Sequence, residues 1–282
     1  MARTSSSPPS SQERLARQLD VGTQGKVNHP LLGRLIDLLF PEPAHCPLCD
    51  FPFSHEPKGW SRVHLCVRCQ EDVAEIMGGV CRTCGRPDAG PICQECQRSE
   101  HLFFSARAYG RYYGTIEDAI KGYKYQGNTK LLPILGEWIT EAYLRYYGDD
   151  REVRVVPVPM HVAKQANRGF NQAEELAKYM SKALKLPYVD ILQRTLPSAS
   201  QTTHNRKDRK YEGQNPFAAL AVPTRVRYLS RHHQKHLNPN PIAGQTVVLV
   251  DDVLTTGSTA DACAEVLYHH GAIAVHVLTV AR

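Results

Sequence analysis

The 282-residue sequence predicts an α/β fold, a parallel sheet flanked by helices, behind a small N-terminal cysteine-rich domain. Short apolar runs at 153–158, 247–250 and 273–280 are separated by stretches of helical periodicity, the pattern of strands buried on both faces of a parallel sheet. One run continues into two acids and a hydroxyl-rich turn, V-V-L-V-D-D-V-L-T-T-G-S-T over 247–259. Eight of the nine cysteines lie between Cys46 and Cys96 as C-x-x-C pairs.

From the N-terminus, residues 1–28 read as a disordered tail, polar and Ser-rich. Arg3 and the serines suit a transit peptide, but Glu13 and Asp20 argue against one, and no apolar core marks a secretion signal. No apolar run approaches the roughly 20 residues that span a bilayer. The longest, 31–40, is broken by Arg34 and Asp37. With 42% hydrophobic and 22% charged residues, the composition is ordinary for a soluble globular chain. Leu31, Leu32, Leu35, Leu38 and Leu39 give 30–40 the stripe of an amphipathic helix, which with the cysteines makes a first domain over 29–99.

The pairs Cys46/Cys49, Cys66/Cys69, Cys81/Cys84 and Cys93/Cys96 have the spacing of zinc knuckles, in which two thiolates reach one ion from a tight turn. Four pairs make up to two Cys₄ sites, paired sequentially in the simplest case and interleaved in the other. Disulfides fit poorly without a secretion signal, redox chemistry fits poorly with four copies, and an iron–sulfur centre is the minor alternative. The segment has few large apolar residues, so the zinc is structural. His45, His55, His64 and His101 flank the pairs, but four cysteine pairs leave them no vacancy. Cys263 stands apart, as a buried apolar residue on a helix.

A second domain, 100–282, begins with an aromatic-rich strand over 106–113. Thr115 can cap the helix that follows, with Glu117 and Asp118 in its first turn. Lys121, Tyr123, Lys124 and Tyr125 end that helix; they suit either a grip on phosphate and base or lysines snorkelling around core tyrosines. Residues 129–147 form a longer helix with Leu131, Leu135, Trp138, Ile139, Ala142 and Tyr143 as its buried stripe, and 149–152 a charged turn. The strand at 153–158 leads into a loop over 160–170 carrying Lys164 and Arg168, and Asn171 caps the next helix. A short strand at 188–192 follows. Residues 194–217 are polar and basic, a mobile loop able to close over a site, and 222–244 is a basic, His-rich insertion. From 194 to 240, nine Lys or Arg face only Asp208 and Glu212, an excess of seven in a chain of net charge +6. Such a patch favours an anionic partner, polyphosphate or nucleic acid.

The stretch 247–259 carries the chemistry. Its strand delivers Asp251 and Asp252 to the C-terminal end, and Thr255, Thr256, Gly257, Ser258 and Thr259 open a helix over 260–270. A helix start offers free N–H groups and the positive end of the dipole to a phosphate. Two carboxylates beside it suit the vicinal hydroxyls of a ribose, with Mg²⁺ completing the neutralisation. No Gly-Lys-Ser/Thr follows, which excludes a P-loop. In a sheet of this kind the 160–170 loop opens on the same rim, within reach of a diphosphate.

The stretch resembles the diphosphoribose-binding motif of type I phosphoribosyltransferases. The chain from about Leu31 onward resembles the ComF family, carried by C-P-L-C at 46–49, Y-G-R-Y-Y-G at 109–114, G-Y-K-Y-Q-G at 122–127, V-P-V-P-M at 156–160, R-G-F-N-Q at 168–172 and D-D-V-L-T-T-G-S-T. The resemblance implies a double zinc ribbon on a type I phosphoribosyltransferase-like sheet. Asp251 and Asp252 would then hold the ribose hydroxyls of phosphoribosyl pyrophosphate (PRPP), residues 255–259 its 5-phosphate, and Lys164 and Arg168 its pyrophosphate, with Mg²⁺. Gln201, Arg206 and Arg209 would belong to the closing loop and a DNA-binding patch. Gln201, Arg209 and Phe217 keep the family's spacing; Glu212 stands where Asn is expected and His204 where an apolar residue is. It also implies a cytoplasmic role in DNA uptake during natural transformation, with single-stranded DNA, the transformation helicase and recombination mediators as partners. The functions in play are a Mg²⁺-dependent phosphoribosyltransferase, a non-catalytic single-stranded-DNA-binding module, and a scaffold for transformation proteins.

Overall fold

Val247, Val248, Leu249 and Val250 are all buried, and around them the chain builds a six-stranded sheet. The computed structural model describes residues 45–53, 65–148, 152–195, 215–220, 225–227 and 240–282. All of these but Pro52 and Phe53 belong to one compact unit. The expected tail, the helix at 30–40, the turn at 149–151, most of the closing loop (196–214) and most of the insertion lie outside the described residues.

Two short helices, α1 (Val67–Glu71) and α2 (Gln94–Arg98), belong to the cysteine-rich part. The sheet domain follows as β1 (Ser105–Gly110), α3 (Gly114–Tyr125), α4 (Leu132–Tyr147), β2 (Val153–Pro157), α5 (Val162–Arg168), α6 (Gln172–Leu184), β3 (Tyr188–Asp190), β4 (Leu192–Arg194), β5 (Phe217–Ala219), β6 (Arg225–Arg227), β7 (Thr246–Val253), α7 (Ser258–His269) and β8 (Ala274–Ala281). The strand order is β1-β8-β7-β2-β3-β6, parallel up to β3 and antiparallel at β6. The fold class is the expected one; the added feature is β6, an antiparallel edge inside the stretch read as an insertion.

Side chains alternate across β7. Val247 and Leu249 pack with Ala260, Cys263, Ala264 and Leu267 of α7, while Val248 and Val250 point to the opposite face. Helix α4 lies over β1 and β8 and α6 over β2 and β7, touching each other. The stripe Leu131, Leu135, Trp138, Ile139, Ala142 and Tyr143 is buried as its spacing predicts. From β2 the chain crosses outward to β3, and from β7 it crosses the other way to β8. Between β2 and β7 the connections diverge, and a parallel sheet opens a crevice there, beyond the strands' C-terminal ends.

The structure corrects several local expectations. The stretch 160–170 is mostly helical: His161 Nδ1 accepts from the Ala163 N–H, α5 makes two turns, and Gly169 ends it at φ 86°. Thr129–Leu131 is a 3₁₀ turn ahead of α4. Thr115 does not cap α3. Asp72, 43 residues earlier, accepts from the Thr115 N–H at 2.9 Å and from its hydroxyl at 3.3 Å. The closing loop is pinned at its base, where Arg194 pairs with Phe217 in the β4–β5 ladder.

The free edge of β1 is covered by the cysteine-rich part. Ile76 N–H donates to Tyr109 O (3.0 Å), Arg111 N–H to Ala74 O (2.8 Å) and Ala106 N–H to Thr83 O (2.6 Å). An exposed edge invites pairing with other chains, and this cover removes it. Gly85 makes the approach possible, because a Cβ there would lie 2.3 Å from Ala106 O.

Candidate functional site

Strand β7 runs through both acids and delivers them to the crevice, which widens into a cleft of about 770 Å³. Asp252 is buried and Asp251 half-buried. Lys124, at the last turn of α3, donates to both oxygens of Asp252, at 2.8 and 2.7 Å, and the two side chains are only 22% and 11% exposed. The Asp252 N–H donates to Asp251 Oδ1 at 2.8 Å. Burial and the neighbouring Asp252 carboxylate push the Asp251 carboxyl up to about 7, against the pull of that N–H, Lys124 and Arg194. Of two adjacent carboxylates at a sheet's rim, Asp252 thus takes the lysine and Asp251 is pushed toward neutrality.

Thr255 to Thr259 form the turn into α7. Gly257 takes φ 89°, and a Cβ there would lie 2.8 Å from the His101 ring. His101 stacks on Phe103 at 4.4 Å and bonds Asp261 in the first turn of α7 at 2.8 Å; Asp261 also accepts from the Leu102 N–H at 2.7 Å. The segment leaving the cysteine-rich part therefore braces the back of this turn. On the turn itself, the Thr256 and Ser258 hydroxyls lie 3.1 Å apart. Thr255 and Thr259 line the cleft with the acids.

Across the crevice, Lys164 and Arg168 sit four residues apart on α5, both lining the cleft. Arg168 donates to Gln172 Oε1 at 2.8 Å and lies 5.2 Å from the centre of the Tyr125 ring. Gln172 is buried, and its Nε2 has no hydrogen-bond partner among the described residues. Burial and the nearby Arg194, Arg168 and Lys124 hold the Lys164 ammonium below its usual range. Such crowding of cations in one cleft calls for a polyanion.

The cysteines form two clusters, Cys46/Cys49/Cys66/Cys69 and Cys81/Cys84/Cys93/Cys96, each with its sulfur atoms within 4.8 Å of one another. A tetrahedral zinc with Zn–S near 2.3 Å needs sulfurs about 3.8 Å apart, so both sets fit one ion each. The simplest, sequential pairing is the one observed. The two centres repeat each other: Asp50 and Gly85 take φ 59° and 70° four residues after the first cysteine, and Gln70 and Gln97 donate to Leu65 O and Ile92 O four residues after the third. Burial pushes the Cys46 and Cys81 thiols up, but surrounding backbone N–H groups outweigh it and bring them down to about 7 and about 6, the thiolate a metal requires. His101, though next to the clusters in sequence, is committed to Asp261.

Asp251, Asp252, Lys164, Arg168, Thr255 and Thr259 are thus brought to one cleft, with Thr256, Gly257 and Ser258 in the turn between the last two. Gln201, Arg206 and Arg209 lie outside the described residues. The sequence left the partner of Lys124 open between two readings, and passed over Arg111, Arg282 and Arg86, all of which line the cleft. Arg111 and Arg282 were findable, since each directly follows a parallel strand and so sits on the rim where ligands bind.

Residues 159–282 match the phosphoribosyl transferase domain family, and 35–98 the double zinc ribbon domain family. The chain thus has the α/β fold of a phosphoribosyltransferase-type domain behind a double zinc ribbon. Its sequence is 23% identical over 240 residues to competence protein ComFC of Bacillus subtilis (strain 168), covering 80% of this chain and 89% of that one. It is 25% identical to competence protein F of Haemophilus influenzae, covering 77% and 96%, and 26% identical to the DNA utilization protein YhgH of Salmonella typhimurium, covering 85% and 97%. The resemblance to the ComF family is borne out by these relatives together with the two domains. No helix among the described residues is long and apolar enough to cross a membrane.

Proposed function

We propose that the cleft binds PRPP with Mg²⁺ and that the chain transfers its phosphoribosyl group, releasing pyrophosphate, in the handling of DNA during natural transformation. The observation that carries this reading is the convergence of Asp251 and Asp252, the turn opening α7, and Lys164 with Arg168 on one cleft. In this reading the two carboxylates orient the ribose hydroxyls and the 255–259 turn receives the 5-phosphate through backbone N–H groups and hydroxyls. Lys164 and Arg168 face the pyrophosphate. As an acceptor nucleophile bonds to ribose C1, the bond from C1 to pyrophosphate breaks, and two fixed cations offset the charge arriving on the leaving group. Lys124, by holding Asp252, reduces the repulsion between the acid pair and an incoming polyphosphate. Asp251 and Asp252 are hard oxygen donors of the type Mg²⁺ takes, and the ion would neutralise diphosphate charge there. The DNA role comes from the relatives named as competence and DNA utilization proteins.

Calorimetry with PRPP and Mg²⁺ tests the reading. Asp251→Asn with Asp252→Asn should weaken binding at least 30-fold. Unchanged affinity would remove the acids from the site. Release of pyrophosphate in the presence of single-stranded DNA tests turnover.

A second reading, single-stranded-DNA binding without turnover, is favoured by the excess of cations over the two acids lining the cleft. The transformation helicase and recombination mediators would then be its partners on the strand. Replacing Arg206, Lys207, Arg209 and Lys210 should flatten the salt dependence of DNA affinity, and an unaltered slope speaks against that patch.

A further inference from the structure

Because the strands lie in the order β1-β8-β7-β2, the residues following them stand in a row along the rim. Lys164 and Arg168 follow β2, on one side of the acids of β7. On the other side stand Arg282 after β8, and Arg111 and Tyr112 after β1. Backbone bonds from Arg282 N–H to Gly110 O and from Tyr112 N–H to Arg282 O, both 3.0 Å, tie these two ends together. The second zinc ribbon completes this wall with Arg86 and Pro87, held against β1 by the close approach at Gly85.

The three arginines on this wall have donors to spare. Arg86 pairs with Glu95 and Arg111 with Asp88, both carboxylates on the ribbon and both well exposed, at 62% and 76%. Exposed ion pairs contribute about 0–1 kcal/mol, and a guanidinium has five N–H donors, so neither arginine is fully committed. Arg282 Nη1 is buried without a hydrogen-bond partner among the described residues, with the Cys84 thiol of the second ribbon near its guanidinium. Buried donors are normally satisfied, and guanidiniums lining one cleft can be satisfied by the oxygens of a phosphate. Strands are spaced about 4.8 Å apart, which puts the β1 end of the wall about 10 Å from the acids of β7, on the side away from Lys164 and Arg168. An anion there is separate from the pyrophosphate; the 5-phosphate turn starts beside Arg282, where the Leu254 N–H donates to Ala281 O at 3.0 Å, so it is Arg111 and Arg86, beyond β8, that set a second subsite apart from it.

We propose that the zinc-ribbon wall is a second phosphate subsite, for a phosphate monoester carried by the molecule that meets the sugar diphosphate. Tyr112, 38% exposed beside Arg111, offers a ring face on which a base can stack, so the ligand class is a 5′-phosphorylated nucleoside, free or at a strand's end. The ribbon is then part of the binding surface as well as the cover of β1. The co-ligand role rests on the PRPP reading above; the subsite itself stands on the arginines.

The test is calorimetry on the full, zinc-loaded chain in saturating PRPP and Mg²⁺, titrating AMP against adenosine. AMP should bind at least 30-fold more tightly. Arg111→Ala should reduce AMP affinity tenfold or more, with a smaller effect on PRPP. Asp88→Asn and Glu95→Gln, which free the guanidiniums, should tighten AMP two- to threefold, a gain that a merely structural role for these pairs does not produce. Arg111 lies outside the ribbon, so its variant remains informative if Arg86→Gln loses zinc. A thymidine tetramer with and without its 5′-phosphate separates a strand end from a free mononucleotide; a phosphate preference in either pair supports the subsite. Absence of a preference in both, or an Arg111→Ala variant that binds AMP normally, overturns it. If PRPP fails to bind while the Arg111-dependent AMP preference persists, the PRPP reading falls and the subsite stands.

Discussion

Around the second zinc centre the buried cluster consists of Cys81, Cys84 and Cys93, with Ala89 and Cys96 against them. Around β7 it draws on five strands of the main sheet, on α7, and on Phe103 and Phe217, with branched and aromatic side chains throughout. Among its described residues this second ribbon has almost no apolar interior apart from its own ligands, so metal binding stands in for hydrophobic burial. The sheet domain needs no metal to bury its strands. Yet the two are not independent, since the ribbon supplies the hydrogen bonds on the open edge of β1 and the carboxylate at the start of α3. A metal-held part thus finishes a part held by burial.

The largest effect expected is the loss of zinc. Structural zinc contributes about 10–16 kcal/mol of apparent binding free energy in small fingers, far more than any side chain here. Chelation, or Cys81→Ser with Cys84→Ser, should melt the second ribbon. By hydrogen exchange the Ile76 and Ala106 amides should lose protection, while those of Leu249 and Val277 keep it. Protected Ile76 and Ala106 amides after zinc removal would mean that the edge is held without the metal. The converse perturbation is Leu249→Ala, which should cost about 2–5 kcal/mol in denaturant unfolding while leaving two zincs per chain.

Acid should also separate the two parts. Thiolate ligands must be deprotonated, so falling pH weakens the zinc centres. Asp251 has the opposite sign. Its carboxyl, near 7 when folded against an ordinary 3.8, binds its proton more tightly in the folded chain. Its contribution to stability is present below about pH 4 and is lost as pH rises toward 7. Asp251→Asn should abolish that loss, measurable as a flatter melting temperature between pH 4 and 7. Ligand hydroxyls that bond the ionised carboxylate release its proton, so PRPP affinity should rise more steeply from pH 6 to 8 in the native chain than in the variant, where only the ligand's own phosphates titrate.

What the sequence revealed follows from how local each feature is. The apolar run of β7, the stripe of α4, the Asn171 cap and the four cysteine pairs are set by neighbours within a turn or two, and all were readable. The helical nature of 160–170 was hidden because Gly169 and the two preceding prolines, Pro157 and Pro159, suggest a loop, although V-A-K-Q-A-N-R forms helix readily. The partners of Lys124, His101 and Thr115 lie 128, 160 and 43 residues away. Such pairings depend on strand order, which periodicity does not encode. The cleft's acids were legible because a strand's end marks the rim, and the same rule reaches Arg111 and Arg282; that Arg86 of the ribbon joins them was not legible, because it needs β1, β8 and a ribbon side by side.

The smallest effect tests how closely the two parts are joined. Asp72 follows α1 of the first centre, and its carboxylate takes the place of an N-cap on α3, a helix of the sheet domain whose own N-cap residue, Tyr113, makes no side-chain capping bond. Replacing a capping carboxylate by alanine costs about 0.5–2 kcal/mol. Asp72→Ala should therefore lower stability by roughly 1 kcal/mol, with zinc content unchanged. Lys124 sits at the far end of the same helix, so fraying of α3 would also loosen its hold on Asp252. The variant should weaken PRPP binding a fewfold, and zinc removal should make the same change nearly silent, because the cap is then already lost. If Asp72→Ala has its full effect in zinc-free protein, the cap belongs to the sheet domain alone and the ribbon's part in positioning α3 is nil.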